Sequence, residues 1–154
     1  MTERTDRRAV RPPAGLKEMN EELMEQQRAG ALPFDLPVLT VPGRRSGVPR
    51  HTPLTVLDRD GVRFVVGGFP AADWIRNLRA AGGLASLRTG GVDEAVRLVE
   101  LDVADAAAVL REWPVVTPQG VQMMRDAGVV DDVTPDALAE AAGTCPVYRI
   151  ERVV

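Results

Sequence analysis

Hydrophobic and polar positions change their period several times along the 154 residues. Over residues 13–29, Leu16, Met19, Leu23 and Met24 recur at steps of three and four. That spacing predicts a helix with one narrow apolar stripe, stopped at Gly30. From Pro37 onward the period shortens. Strands are predicted over 38–41, 53–57 and 62–66, the last two joined by Asp58-Arg59-Asp60-Gly61 with its Asp-Gly hairpin signature. A short helix carrying Trp74 and Leu78 is predicted over 70–81, ending at Gly82-Gly83. Strands over 84–88 and 95–102 flank Gly90-Gly91, and an Ala-rich helix over 104–113 closes at Pro114. Thr117-Pro118 and Thr134-Pro135 each read as an N-cap followed by proline at the first helical position. They open helices over 119–127 and 136–142. "PVYRIERVV", residues 146–154, alternates as a final strand.

About six antiparallel strands, mostly joined by tight turns in a chain too small for two sheets, predict a small barrel with helices outside it. The expected class is mainly β with flanking helices, α+β. Twelve prolines and fourteen glycines punctuate the short apolar runs, in keeping with this reading. The length suits one domain over 13–154. It is preceded by a polar, basic arm over 1–12 that is expected to be flexible and that ends at Pro12-Pro13.

Charge and cysteine content narrow the function classes. The net charge is −3 with a pI near 5.2, so a nucleic-acid partner is not expected and any anion site must be local. Cys145 is the only cysteine, which precludes an intrachain disulfide and fits a reducing compartment. With His51 the only histidine, no Cys/His metal site can form, and no metal is expected. No run approaches the 18 apolar residues of a membrane span, and no apolar stretch follows the N-terminal arginines, so neither an integral membrane segment nor a signal peptide is expected. The expected location is cytoplasmic.

Against that acidic background, "PGRRSGVPRHTPL" (42–54) gathers Arg44, Arg45 and Arg50 on a glycine-framed turn. Forked guanidinium donors, the Ser46 hydroxyl and successive turn N–H groups can hold phosphate or carboxylate oxygens. The Walker spacing is absent, and a strand follows instead of a helix. Residue chemistry alone leaves two readings equal: an anion site, or a solvated hairpin tip. "DWIRNL" brings Trp74, Arg76 and Asn77 together, either to pack a helix or to wall a pocket. Gly67-Gly68 ends a strand without side chains, leaving backbone on which a flat ring could stack. His51 has no partner at a spacing that would make it a base, and no catalytic residue is assigned.

"VLTVPGRRSGVPRHTPLTVL", the Asp-Gly hairpin, "FVVGG" and "DWIRNLRA" together resemble the deazaflavin (F420)-dependent nitroreductase family of actinobacteria, which includes F420H2-dependent quinone reductase-like members. The resemblance covers residues 39–88 and, more weakly, the last strand. It implies a split β-barrel of the FMN-binding type. It further implies that coenzyme F420 delivers a hydride to a quinone, nitroaromatic or conjugated enone. Carried over by position, Arg44, Arg45, Ser46 and Arg50 would grip the cofactor phosphate and its oligoglutamate tail. His51, Thr52, Pro53, Leu54 and Thr55 would line the deazaflavin edge, with Gly67, Gly68 and Phe69 under the ring. Trp74, Arg76 and Asn77 would close the site. Two departures stand out: the family's lysine-containing segment between Gly68 and Trp74 is replaced by Phe69-Pro70, and its substrate-site tyrosines are missing. Trp113, Met123 and Met124 are offered as a more apolar lid. The alternatives are an FMN-binding barrel and a relative that holds a fatty acid or other apolar ligand without catalysis. The expected partner is a small-molecule acceptor, and a homodimer stays open.

Overall fold

The arginine-rich segment closes a hairpin between β1 (Val38–Pro42) and β2 (Pro49–Pro53), with Pro42 opposite Pro49. The computed structural model describes residues 6–153. Five further strands follow: β3 (Leu57–Arg59), β4 (Val62–Val66), β5 (Leu84–Thr89), β6 (Val92–Glu100) and β7 (Val147–Arg152). They form one sheet in the order β2-β1-β5-β6-β7-β4-β3, every neighbouring pair antiparallel. The α+β expectation holds, with seven strands where about six are predicted. The strand predicted over 53–57 is a crossing between two: β2 ends at Pro53 and β3 begins at Leu57, on opposite edges of the sheet. Pro53 has no N–H to continue a ladder. Leu54 and Val56 are apolar because they pack onto the barrel interior, not because they pair.

That crossing forces the sheet to curl. Laid flat, six inter-strand spacings would hold β2 and β3 about 29 Å apart. Four residue steps from Pro53 to Leu57 span at most about 14 Å. The edges must therefore approach one another, leaving a barrel split between β2 and β3.

Directly opposed residues share a face, so Leu39 opposite Leu87, Leu98 opposite Ile150 and Val65 opposite Tyr148 all point into the barrel. With Val41 and Val96 they form its core, and Leu87 and Val96 are completely buried. Each such side chain contributes about 1.5–3 kcal/mol by leaving water.

A second core lies on the outside of the sheet, where Val66 and Val147 meet α3 (Val103–Val116), α4 (Pro118–Asp126) and α5 (Pro135–Ala139). Thr117 and Thr134 cap α4 and α5 by accepting from the Gly120 and Ala137 N–H groups, with proline at the first helical position of each. Helix α3 continues through Pro114 to Val116; a proline so near the end disturbs only its last turn. Trp113 and Met124 do not form a lid. They are 4% and 2% exposed within this helical core, and the amphipathic α3 and α4 need them there.

Helix α1 (Leu16–Arg28) lies on the surface with no fully buried residue. Its Gln27 side chain clamps Leu36, accepting from the N–H at 2.6 Å and donating to the carbonyl at 2.8 Å. Residues 1–5 of the predicted arm lie outside the described residues. Beyond them, Arg7 donates to the Val129 carbonyl at 3.2 Å and pairs with Asp131. The Val10 carbonyl accepts from the Ala71 N–H at 3.0 Å, just before α2 (Asp73–Ala80). Among the described residues, no helix is long and apolar enough to cross a membrane.

Candidate functional site

The turn between β1 and β2 is held partly by its own backbone. Gly43 donates to the Val48 carbonyl and Gly47 to the Gly43 carbonyl, each at 2.8 Å, and Gly47 has φ +75°. The Ser46 hydroxyl accepts from the Val48 N–H at 3.2 Å. The rest of the hold comes from α2. Asn77, the one buried polar residue among those described, accepts through Oδ1 from the Arg44 backbone N–H at 3.1 Å and from Arg44 Nη1 at 2.8 Å. Arg44 Nη2 reaches Asp73 Oδ1 at 3.2 Å, and Arg11 Nη2 lies 3.9 Å from the same oxygen. Asp73 and Asn77 can act together because they stand one helical turn apart.

These bonds divide the three arginines of the turn into two kinds. Arg44 is committed to α2. Among the described residues, neither Arg45 nor Arg50 meets a carboxylate within ion-pair distance, and the Arg45 and Ser46 backbone N–H groups have no acceptor. Exposed donors of like charge on a fixed loop are what an anion requires.

Register settles the rest of β2. Arg50 lies opposite Val41 and Thr52 opposite Leu39, so both face the side of the sheet that forms the barrel core. His51 lies opposite Thr40 on the other face, its Nδ1 2.7 Å from Thr40 Oγ1. Pro53 ends the strand. Leu54 is half-buried against the barrel core, its N–H donating to the Pro37 carbonyl at 2.9 Å, while Thr55 is exposed.

From α2, half-buried Trp74 packs edge-on against Tyr148, with ring centroids 6.1 Å apart and planes at 61°. Tyr148 is 3% exposed and its hydroxyl has no hydrogen-bond partner among the described residues. Burial, reinforced by the nearby Glu100 carboxylate and only partly offset by the Arg79 guanidinium, pushes its pKa up to about 12. Arg76 is exposed and takes no part in the bonds between turn and helix.

The strand end at Gly67-Gly68 is not bare. A Cβ on Gly67 would meet Ile75 Cδ1 at 2.6 Å and Pro146 Cγ at 2.8 Å, and one on Gly68 would meet Met124 Sδ at 3.2 Å. Phe69 packs onto the helical core. At Gly67 glycine is needed for the protein's own packing, and at Gly68 a side chain would have to displace Met124 by a few tenths of an ångström. The structure thus ties Arg44 of the turn to Asn77 of α2, beside Arg45 and Ser46, and sets Arg50 and Thr52 on the barrel face of β2, while Leu54 lies at the far end of β2 from the turn. It turns His51 to the opposite face, and Gly67, Gly68 and Phe69 toward the helices.

Sequence reasoning missed three features. Asp73 stands beside Trp74 in the same motif, and its place at the first helical position next to an arginine-rich turn could have marked it. Arg11 is brought in by the docking of residues 7–10, which no local pattern announces. At the opposite end of the barrel, the inward-facing Glu94 accepts from Arg63 Nη1 at 2.5 Å and Arg152 Nε at 3.1 Å. The Arg63 hydrogen bond holds the Glu94 carboxyl below its ordinary pKa. Among the described residues, no group of histidine, cysteine and carboxylate side chains could hold a metal.

A family model described as F420H(2)-dependent quinone reductase matches residues 18–128. No curated protein matches the chain significantly. Among solved structures, one described as a domain-swapped dimer is 19% identical over 88% of this chain and 96% of that one, with a TM-score of 0.45. An F420-H2 dependent reductase is 20% identical over 75% and 93% of the two chains, with a TM-score of 0.41. A structure named for 5-nitroimidazole antibiotic resistance in Bacteroides thetaiotaomicron is 11% identical over 90% and 80%, also with a TM-score of 0.41.

Proposed function

The chain belongs to the F420H(2)-dependent quinone reductase family, an F420-dependent oxidoreductase family, and on that premise we propose that the arginine turn and α2 hold F420 for the reduction of a quinone, nitroaromatic or conjugated enone. The carrying observation is the set of donors on the turn that meet no partner among the described residues: the Arg45 and Arg50 guanidinium groups and the Arg45 and Ser46 N–H groups. F420 combines a phosphate, an oligoglutamate tail and a flat heterocycle, so these donors fit its anionic part. Thr52 on the barrel face of β2 and half-buried Trp74 on α2 are offered as the wall for its ring.

When bound and reduced, F420 supplies the hydride; the protein supplies orientation and electrostatics. Asn77 fixes the turn through Arg44, so that Arg45 and Ser46 are set before the ligand arrives. Trp74, seated on Tyr148, is held in place as a wall. His51 faces the other side of the sheet, and the Tyr148 hydroxyl is sealed from water and stays protonated until about pH 12. Storage of a fatty acid inside the barrel is disfavoured, because Leu39, Val65, Leu87, Val96, Leu98 and Tyr148 fill it. The buried, unpaired Cys145 suits a cytoplasmic, reducing setting.

The test is to mix the protein with F420H2 and menadione and follow the return of the oxidised cofactor's absorbance. Turnover above the buffer rate, slowed by Trp74→Ala, supports the reading. Binding without reduction of any quinone, nitroaromatic or enone would overturn the catalytic part of it.

A further inference from the structure

Around the turn, one contact comes from a distant part of the chain. Arg11 precedes α1, yet its guanidinium lies 3.9 Å from Asp73, whose carboxylate is also bound to Arg44. This placement is fixed by two bonds already described: Arg7 to the Val129 carbonyl, and the Val10 carbonyl to the Ala71 N–H. The second ties Arg11's chain neighbour to the residue two positions before Asp73.

We propose that Arg11 is a fourth cationic residue of the anion site, and that Asp73 is a counter-ion which Arg11 and Arg44 share and exchange for the cofactor's carboxylate or phosphate groups. The proposal rests on the F420 reading above and adds two residues to it. The energetic argument is one of exposure. The Arg11 and Asp73 side chains are 67% and 64% exposed, so their ion pair is weak and easily given up. Arg44, a quarter exposed, keeps its bonds to Asn77 Oδ1 when Asp73 lets go, so the turn does not loosen during the exchange. A ligand with several negative charges then meets Arg11, Arg44, Arg45 and Arg50 together, opposed by one carboxylate.

Fluorescence titration of F420 into Arg11→Ala, Arg11→Lys, Asp73→Asn and Arg8→Ala tests this. Arg8 is exposed, and its substitution removes the same charge from the same segment outside the site. Arg11→Ala is expected to weaken binding about three- to tenfold at low salt, with the loss shrinking as salt rises. Arg11→Lys should recover most of it, and Arg8→Ala should stay within about twofold of wild type. Asp73→Asn should tighten binding about two- to fivefold by removing the competing charge. Equal effects of Arg11→Ala and Arg8→Ala would overturn the placement of Arg11 in the site, and weakening by Asp73→Asn would overturn the exchange. A wild type that binds no F420 refutes the functional reading along with this proposal. Binding that depends on Arg45 and Arg50 but ignores Arg11 refutes this proposal alone.

Discussion

Replacing Asn77 with alanine should separate the turn from the helix that positions it. Asn77 is 4% exposed, and its Oδ1 carries two bonds, from the Arg44 N–H and from the Arg44 guanidinium. A neutral hydrogen bond contributes about 1 kcal/mol net, and one to a charged group about 1.5–3 kcal/mol. The two share an acceptor and the guanidinium retains Asp73, so the sum is an upper bound, and a loss of about 2–3 kcal/mol is expected. For a domain of this length, roughly 2–4 °C of Tm accompany each kcal/mol, which gives a fall of about 5–10 °C. Thermal denaturation followed by circular dichroism reads this directly. A double-mutant cycle with Arg44→Ala should return a coupling of about 1.5 kcal/mol or more, because the two residues share these bonds. Cofactor affinity should fall about tenfold, since a turn that is no longer pre-set must be ordered on binding. A Tm within about 2 °C of wild type, with no coupling to Arg44, would refute the idea that α2 holds the turn through this side chain.

Tyr148 is the only tyrosine, so absorbance at alkaline pH reports it alone. Tyrosinate should appear only near pH 12, and its appearance near 10 in the folded protein would contradict the sealed environment. Burial raises the folded-state value above that of the unfolded chain. Its contribution to stability is therefore complete below about pH 10 and lost as pH rises through about 12. Tyr148→Phe removes a hydroxyl with no partner among the described residues and should leave the Tm unchanged or slightly higher, checked by calorimetry. Gly67→Ala forces a Cβ against Ile75 and Pro146 and should cost about 1–3 kcal/mol in urea denaturation; a neutral result would mean this strand end is open.

The helices were legible because their signals are local. Thr117-Pro118 and Thr134-Pro135 mark their own starts whatever lies elsewhere, and both caps form as the sequence implies. The strand count was less legible. Leu54 and Val56 look like strand residues, yet they cross between sheet edges, and only the closing of the barrel makes them apolar. At the site, the spacing of Arg44, Arg45, Ser46 and Arg50 identifies the turn, but not which arginine is free. That depends on Asp73 and Asn77, some 30 positions away, and on Arg11 about as far in the other direction. Gly67 misled for a related reason. A glycine that yields space to a ligand and one that yields it to Ile75 read alike in sequence.

The central claim is that Arg45 and Arg50, the arginines of the turn that meet no carboxylate among the described residues, hold the anionic part of F420. The most direct measurement is the fluorescence-monitored affinity of F420, beside that of FMN, for wild type and for Arg45→Ala/Arg50→Ala at low and high salt. Wild type should bind F420 at micromolar affinity or better and FMN much more weakly, because FMN has one phosphate and no tail. Each lost arginine should cost about 1.5–3 kcal/mol at low salt, and less at high salt, where exposed charges are screened. An F420 affinity unchanged in the double variant, or equal affinities for the two flavins, would contradict the account and leave the turn a solvated hairpin.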